Sequence, residues 1–213
     1  MKNLLLGAIA LVAVAAAALA AVAAGGFVDV GADSPHSGAL FELIDWARDR
    51  AVAHRAASLV PPPDLSDAGR MRRGAGNYDA MCAQCHLRPG VTDSEIRMGL
   101  YPQPPDLSVA SGDAETAQAD AERFWIIKHG IKATGMAAWS KAGIRDDEIW
   151  DMVAFVKALP KLSADDYRGW VESSEGHHHG AADAHGSDAG PERHHHEHGA
   201  GQLDSHHNPV NSR

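Results

Sequence analysis

The only two cysteines of the chain stand beside a histidine, in the order Cys82-x-x-Cys85-His86. Thiols at this spacing can each form a thioether with one vinyl group of a porphyrin, and a histidine directly after the second thiol can bind the iron from one face. A turn of helix would hold the three side chains in that arrangement. The pattern therefore predicts one covalently attached haem c, with His86 as an axial ligand of the iron.

Two closely spaced cysteines also occur in structural disulfides, in thioredoxin-like redox pairs and in zinc sites. A redox pair would follow a strand and precede a helix, whereas residues 70–81 before Cys82 are typical of a helix. A zinc site would need a second pair of ligands nearby, and the neighbouring sequence offers none. The histidine after Cys85 favours haem attachment over these three alternatives.

The second axial position of the iron is predicted to belong to Met136. This residue lies in the segment 134–139, which reads as a loop between two helices and can wrap the far side of the porphyrin. Fifty residues separate Met136 from His86, enough chain to travel around the ring. The preceding Gly135 permits close approach of the backbone to the cofactor.

Other ligands of the iron stay open at this stage. His129 and Met98 are candidates, as is a position without a protein ligand. Met152 lies on an apolar helical face, where methionine usually belongs to a core, and Met71 is too close to the cysteines to reach across the ring. His129 stands near the end of a predicted helix, where a solvent-facing position is expected.

Helices are the only regular elements that the sequence predicts, so the expected fold class is all-α. Gly74 and Tyr78 share one face of the first of these helices, and a small residue beside an aromatic one permits close crossing with another helix. The three prolines of residues 101–106 predict a loop, which we expect to lie against the cofactor. The predicted helices span residues 69–81, 92–99, 114–130 and 146–159, and a short one starts at Ser163 with Asp166 completing a capping box.

The haem motif belongs to a longer ordered set of residues. In sequence order the set is Gly74-x-x-x-Tyr78-x-x-x-Cys82-x-x-Cys85-His86, Pro89, Gly135-Met136, and a last helix with Trp150 and Phe155. Over residues 65–159 this order resembles class I c-type cytochromes. The resemblance implies a small helical domain wrapped around one haem, with its first and last helices crossing beside the haem edge. It also implies that the backbone carbonyl of Pro89 orients the His86 imidazole.

Two positions depart from the pattern of that family. Ala137 stands where many relatives have a proline after the ligand methionine, which could loosen the methionine loop. Arg145 stands where a serine or threonine helix cap is common. Neither departure removes a predicted ligand.

Composition divides the chain into four segments. We expect a membrane anchor or signal segment over residues 1–30, an amphipathic helix and a proline-rich linker over 31–63, a cytochrome c domain over 64–172, and a disordered tail over 173–213. The formal net charge is -9, and no segment is basic enough to suggest nucleic acid as a partner.

The N-terminal segment is apolar from Leu4 to Ala24. This run is longer than the core of a secretory signal and close to the roughly 20 residues that span a bilayer. The small residues of 21–23 also offer a cleavage site, so a soluble periplasmic protein is the alternative. Because Lys2 is the only nearby basic residue and Asp29 follows the run, the rest of the chain is expected on the periplasmic side of the cell inner membrane.

The helix predicted over residues 37–58 has apolar residues at helical spacing. These residues are Leu40, Leu43, Ile44, Ala47 and Ala51, whereas Asp45, Arg48, Asp49 and Arg55 lie on other faces. We expect this helix to be a stalk that packs on the haem domain, with docking of a partner as the alternative.

The C-terminal tail holds ten of the chain's 14 histidines among few large apolar residues. Such a composition cannot build a core, and neutral imidazoles bind copper, nickel or zinc readily. The candidate ligands include His177, His178, His179, His194, His195, His196 and His198.

Together these features predict a one-electron carrier and not an enzyme, because His86 and Met136 would fill both axial positions of the haem iron. Its donor and acceptor would be redox proteins that the sequence does not identify. The alternative is a metal-handling or metal-sensing haem protein that uses the tail. A haem enzyme with an open iron position is a third interpretation.

Overall fold

A computed structural model describes residues 1–110 and 115–176 of the chain. The described residues form helices, turns and loops, with no strand among them, and the all-α prediction is confirmed. The α-helices are α1 (Lys2–Ala24), α2 (Gly38–Ala56), α3 (Ala68–Met81), α4 (Ala83–His86), α5 (Glu95–Met98), α6 (Ala117–His129), α7 (Asp146–Ala158) and α8 (Ala164–Glu172). Short 3-10 turns cover Trp139–Ala142 and Leu159–Lys161.

Helices α3 and α7 cross closely at Gly74, as the sequence predicts. A Cβ atom on Gly74 would overlap the backbone carbonyl of Asp151 and touch Phe155. One turn further along α3, the ring of Tyr78 packs on the ring of Phe155, with 5.6 Å between their centroids. The absent side chain at Gly74 therefore allows the two backbones to touch and fixes where the C-terminal end of α3 lies.

A buried carboxylate reinforces this crossing. The side chain of Asp151 on α7 is only 5% exposed and accepts hydrogen bonds from two arginines of α3. Arg70 Nη1 lies 2.9 Å from its Oδ1, and Arg73 Nε lies 2.6 Å from its Oδ2. A buried charge is tolerated only when it is paired and hydrogen-bonded, so these contacts hold α3 and α7 in one register.

Helix α6 completes the core from the other side of α7. The rings of Phe124 and Trp150 stack with 4.2 Å between centroids. The carboxylate of Asp120, which is buried, binds Lys157 of α7 at 2.7 Å and Arg123 at 3.0 Å. The helix ends at Gly130, whose φ of +63° is a conformation that favours glycine.

Helix α8 follows the predicted capping box. The Ser163 hydroxyl accepts a hydrogen bond from the Asp166 N–H at 3.1 Å, and the Asp166 carboxylate accepts one from the Ser163 N–H at 3.1 Å. Tyr167 of α8 is buried and donates its hydroxyl proton to Asp79 of α3 over 2.7 Å. The helix therefore closes over the outer side of α3.

Helix α2 packs on α6, but not with the face expected from its apolar periodicity. The buried side of α2 contains Val52 and Ala56, with Asp45 and Arg48 half-buried beside them. The apolar stripe is exposed instead: Leu40, Leu43, Ile44, Ala47 and Ala51. Polar residues can occupy the inner face because Arg48 forms ion pairs with both Asp45 and Asp49.

Helix α1 is long and apolar enough to cross a membrane, and it is the one helix of the described residues that meets this criterion. A signal sequence near the N-terminus would meet it equally. The residues 177–213, which contain the predicted metal ligands of the tail, lie outside the described residues. Residues 111–114, the last of which is the predicted first residue of the helix over 114–130, do so as well.

Substituting Gly74 with alanine tests the close helix crossing. We expect Gly74→Ala to lower the free energy of unfolding by about 1–3 kcal/mol, because the new methyl group must push α7 away from α3. Gly169→Ala is the matched control, since nothing lies within 4 Å of the Cβ position in α8 and alanine favours helix. Denaturant unfolding of the full chain, followed by circular dichroism, measures both. Equal stability of the two variants would contradict the close crossing.

Candidate haem-binding site

One cavity brings together the side chains that the sequence predicts to hold the haem. Its volume is about 790 Å³, within the range of roughly 300–1,000 Å³ that is usual for ligand pockets. Cys82, Cys85, His86 and Met136 all line it. The donors come from two distant parts of the chain, the α3–α4 junction and the loop between α6 and α7.

The two cysteines lie where α3 gives way to α4. The Cys82 N–H donates to the Tyr78 carbonyl over 2.8 Å, which continues α3 into the motif, and the His86 N–H donates to the Cys82 carbonyl over 2.8 Å. Both thiols are free. Burial raises the pKa of Cys82, whereas the thiol of a catalytic redox pair has a lowered pKa.

The His86 ring is oriented by a backbone carbonyl of the proline-rich loop. Its Nδ1 lies 3.0 Å from the carbonyl oxygen of Pro105. A carbonyl only accepts hydrogen bonds, so Nδ1 must carry the proton, and Nε2 is the nitrogen left to bind a metal. Burial lowers the pKa of His86, which keeps the ring neutral as metal binding requires.

The expectation that Pro89 supplies this carbonyl is wrong. The residue that does so is Pro105, in the loop whose prolines prevent regular hydrogen bonding. The Leu107 N–H donates to the His86 carbonyl over 3.0 Å and thereby fastens this loop beside α4. The expectation that residues 101–106 lie against the cofactor site is supported, because residues 102–105 line the cavity.

Tyr78 holds the turn that follows His86. Its hydroxyl donates to the Leu87 carbonyl at 2.7 Å and lies 3.3 Å from the His86 carbonyl. Leu87 has a φ of +62°, an uncommon conformation for a residue other than glycine. Burial raises the pKa of Tyr78, so the phenol keeps the proton that it donates.

Met136 is presented by a short loop with internal hydrogen bonds. The Met136 N–H donates to the Thr134 hydroxyl at 3.1 Å, and the Thr134 hydroxyl donates to the Ile131 carbonyl at 2.8 Å. The Ile131 N–H donates back to the Met136 carbonyl at 3.3 Å. At Gly135 a Cβ atom would meet the side chain of Leu100. The close approach of this backbone to the porphyrin stays a prediction. These bonds hold the loop without the proline that Ala137 replaces.

The other candidate axial ligands do not line the cavity. Met98 is 62% exposed, and Met152 is fully buried in the core between the helices. Met71 packs against the outside of the same core. His129 is exposed, and its ring lies against Trp125 with 4.9 Å between centroids. Among the five candidates, Met136 is therefore the one that shares a cavity with His86.

Several cavity residues were not anticipated from the sequence. Four of them belong to α2, namely Phe41, Asp45, Arg48 and Asp49, and others are Met81, Leu100, Ile126, Ile131 and Trp139. Met81 and Trp139 stand close in sequence to predicted ligands, so their proximity was a usable signal. The residues of α2 carry no such signal because they are distant in sequence and partly charged.

The described residues contain no cluster of three or more histidine, cysteine or carboxylate side chains that could hold a separate metal ion. The donor set of the cavity, two thiols, one neutral imidazole and one thioether, fits a covalently attached haem with two axial ligands. The tail histidines fall outside the part of the chain to which this statement applies.

Comparison with known proteins points to the same cofactor. Residues 69–156 match the family model described as "Cytochrome C oxidase, cbb3-type, subunit III". No curated protein and no solved structure matches the chain. The matched segment begins in α3, ends in α7 and contains both cysteines, His86 and Met136. Residues 69–156 are therefore a c-type cytochrome domain with an all-α fold, consistent with a class I cytochrome c.

Proposed function

We propose that the chain is a one-electron carrier with a single covalently bound haem whose iron is ligated by His86 and Met136. The observation that carries this proposal is the shared cavity of Cys82, Cys85, His86 and Met136. A c-type haem supplies a reversible one-electron iron couple. A redox protein on each side, a donor and an acceptor, would complete the function.

The residues of the cavity have separable roles in this function. The two thiols attach the cofactor, and the Pro105 carbonyl holds His86 in the tautomer that leaves Nε2 for iron. A thioether ligand at Met136 favours the reduced iron and raises the potential. Apolar wall residues such as Ile126 and Ile131 exclude water. With both axial positions filled by side chains, no site is left for a substrate at the iron, and we infer a carrier and not an enzyme.

We infer further that α1 tethers this domain to the inner membrane with the haem on the periplasmic side. The helix has the length and composition of a span, and none of its residues is buried by the rest of the described chain. Lys2 precedes the apolar run and acidic residues follow it, which favours a cytoplasmic N-terminus. Haem attachment through Cys82 and Cys85 would then take place outside the cytoplasm.

Replacing Met136 with alanine tests the axial ligand. We expect Met136→Ala to retain the covalent c-type spectrum but lose the absorption band of methionine-ligated ferric iron, and to have a lower midpoint potential. Met98→Ala is the control, since this methionine is exposed and lies away from the cavity. Optical spectroscopy and redox titration of the purified holoproteins give both readouts. Retention of the band in Met136→Ala would exclude Met136 as the ligand.

The N-terminus of the mature protein distinguishes an anchor from a signal. An uncleaved anchor predicts that the holoprotein stays in membranes washed with alkaline carbonate and that mass spectrometry finds residues 2–24 intact. A hydrophobic span of this length should resist such washing because its apolar surface stays in lipid. Release into the soluble fraction, with the chain starting just after residues 21–23, would show cleavage instead.

A second candidate function is metal handling or metal sensing, and the ten histidines of residues 177–213 favour it. In this case the tail would capture copper, nickel or zinc beside a redox-active domain. We expect deletion of residues 177–213 to abolish binding of these ions, measured by calorimetry, and to leave the spectrum and midpoint potential unchanged. Equal metal binding by the shortened and full chains would contradict a role of the tail in metal capture.

A further inference from the structure

One wall of the haem cavity comes from outside the matched cytochrome segment. Helix α2 contributes Phe41, Asp45, Arg48 and Asp49 to the cavity lining, whereas the family match begins at residue 69. The other walls belong to the proline-rich loop, to α6 and to the methionine loop. Helix α2 is therefore an addition to the domain that borders the cofactor site directly.

The N-terminal end of α2 is held by the proline-rich loop. The His36 N–H donates to the Tyr101 hydroxyl over 2.9 Å, and the two rings meet edge to face with 5.5 Å between centroids. Phe41 approaches the same tyrosine with 6.3 Å between centroids. This end of the helix is thus fixed to the loop that also orients His86.

The C-terminal half of α2 is held by α6. Val52 is 5% exposed and Ala56 is fully buried on the inner side of the helix. The Gln118 side-chain amide of α6 donates to the Ala53 carbonyl over 3.4 Å. Because the loop and α6 are both walls of the cavity, a helix fastened to each of them lies along the side of the cavity between the two.

The inner face of α2 also determines the charge beside the cavity. Arg48 forms ion pairs with Asp45 and Asp49, and all three side chains line the cavity. On the neighbouring wall, α6 contributes Glu122 and Arg123, and Arg123 is paired with the buried Asp120. Among the described residues that line the cavity, Arg48 is the cation that offsets the two carboxylates of α2.

We propose that α2 is a structural part of the haem site, which shields one side of the cofactor from water and through Arg48 limits the negative charge beside it. The inference rests on the proposed function, since it assumes that the haem occupies this cavity. Water and uncompensated carboxylates both stabilise the more positive ferric state of the iron. By excluding water, α2 raises the reduction potential, and Arg48 limits how far the two carboxylates of the same helix lower it.

A pair of neighbouring substitutions in the full-length holoprotein tests the shielding. Val52→Asn places an unpaired amide in the α2–α6 contact and should detach the helix, whereas Ala51→Asn adds the same group on the exposed face. We expect Val52→Asn to lose hydrogen-exchange protection in α2, to have a lower midpoint potential, and to be reduced several-fold faster by a small soluble reductant. Ala51→Asn should match the wild type in all three measurements.

A second pair of substitutions tests the effect of the Arg48 charge on the reduction potential. It tests the proposal even if Val52→Asn fails to fold. Arg48→Gln removes the cation between the two carboxylates, whereas Arg50→Gln removes one from the exposed side of the same helix. We expect a lower midpoint potential for Arg48→Gln, with a difference that shrinks at high salt, and no change for Arg50→Gln.

The outcomes separate this inference from the proposed function. Equal potentials and equal reduction rates across each pair, in proteins that carry a c-type haem, would overturn the role of α2 and leave the electron carrier intact. Absence of covalent haem in the wild-type chain would instead overturn the proposed function, and the haemochrome spectrum of the wild type decides that point first.

Discussion

The contact between α3 and α7 at Gly74 is the constraint on which the site depends. The two backbones touch there, and Asp151 binds two arginines of α3 beside the same point. Because Cys82 follows α3 without a break, the register of this crossing sets where both thiols and His86 lie. The loop that carries Met136 leads into α7, so the same crossing also positions the opposite ligand. A shift of α3 along α7 would therefore move both sides of the cavity at once.

The sequence was most informative where chemistry is local. The spacing of Cys82, Cys85 and His86 fits only a few cofactors, and Gly74 with Tyr78 marks a close helix contact within a single turn. The axial role of Met136 remains a proposal, although its loop has the predicted position between α6 and α7. The carbonyl that orients His86 was misassigned, because Pro89 is near in sequence whereas Pro105 is brought near by a backbone hydrogen bond that no sequence pattern encodes.

Helix α2 shows why periodicity alone does not identify the buried face. Its apolar stripe predicted which residues would pack on the domain, yet the helix turns another side inward, where Arg48 forms ion pairs with two carboxylates. Burial of Val52 and Ala56 is sufficient to hold that side against α6. A hydrophobic pattern reports how much apolar surface a helix has, whereas the surface to which it binds decides which face is covered.

The placement of α2 also relates the apolar helix α1 to the cytochrome domain. The residues between Ala24 and Gly38 form a short connection, which reaches at most about 50 Å when fully extended. If α1 spans the membrane, this connection limits how far the cytochrome domain can move from the bilayer, and it leads directly into α2, which forms a wall of the haem cavity. In that arrangement, α2 joins the proposed tether to the cofactor site. The outward stripe of that helix, with Leu40 and Leu43 exposed, is separated from the cavity only by the helix itself, about 10 Å across.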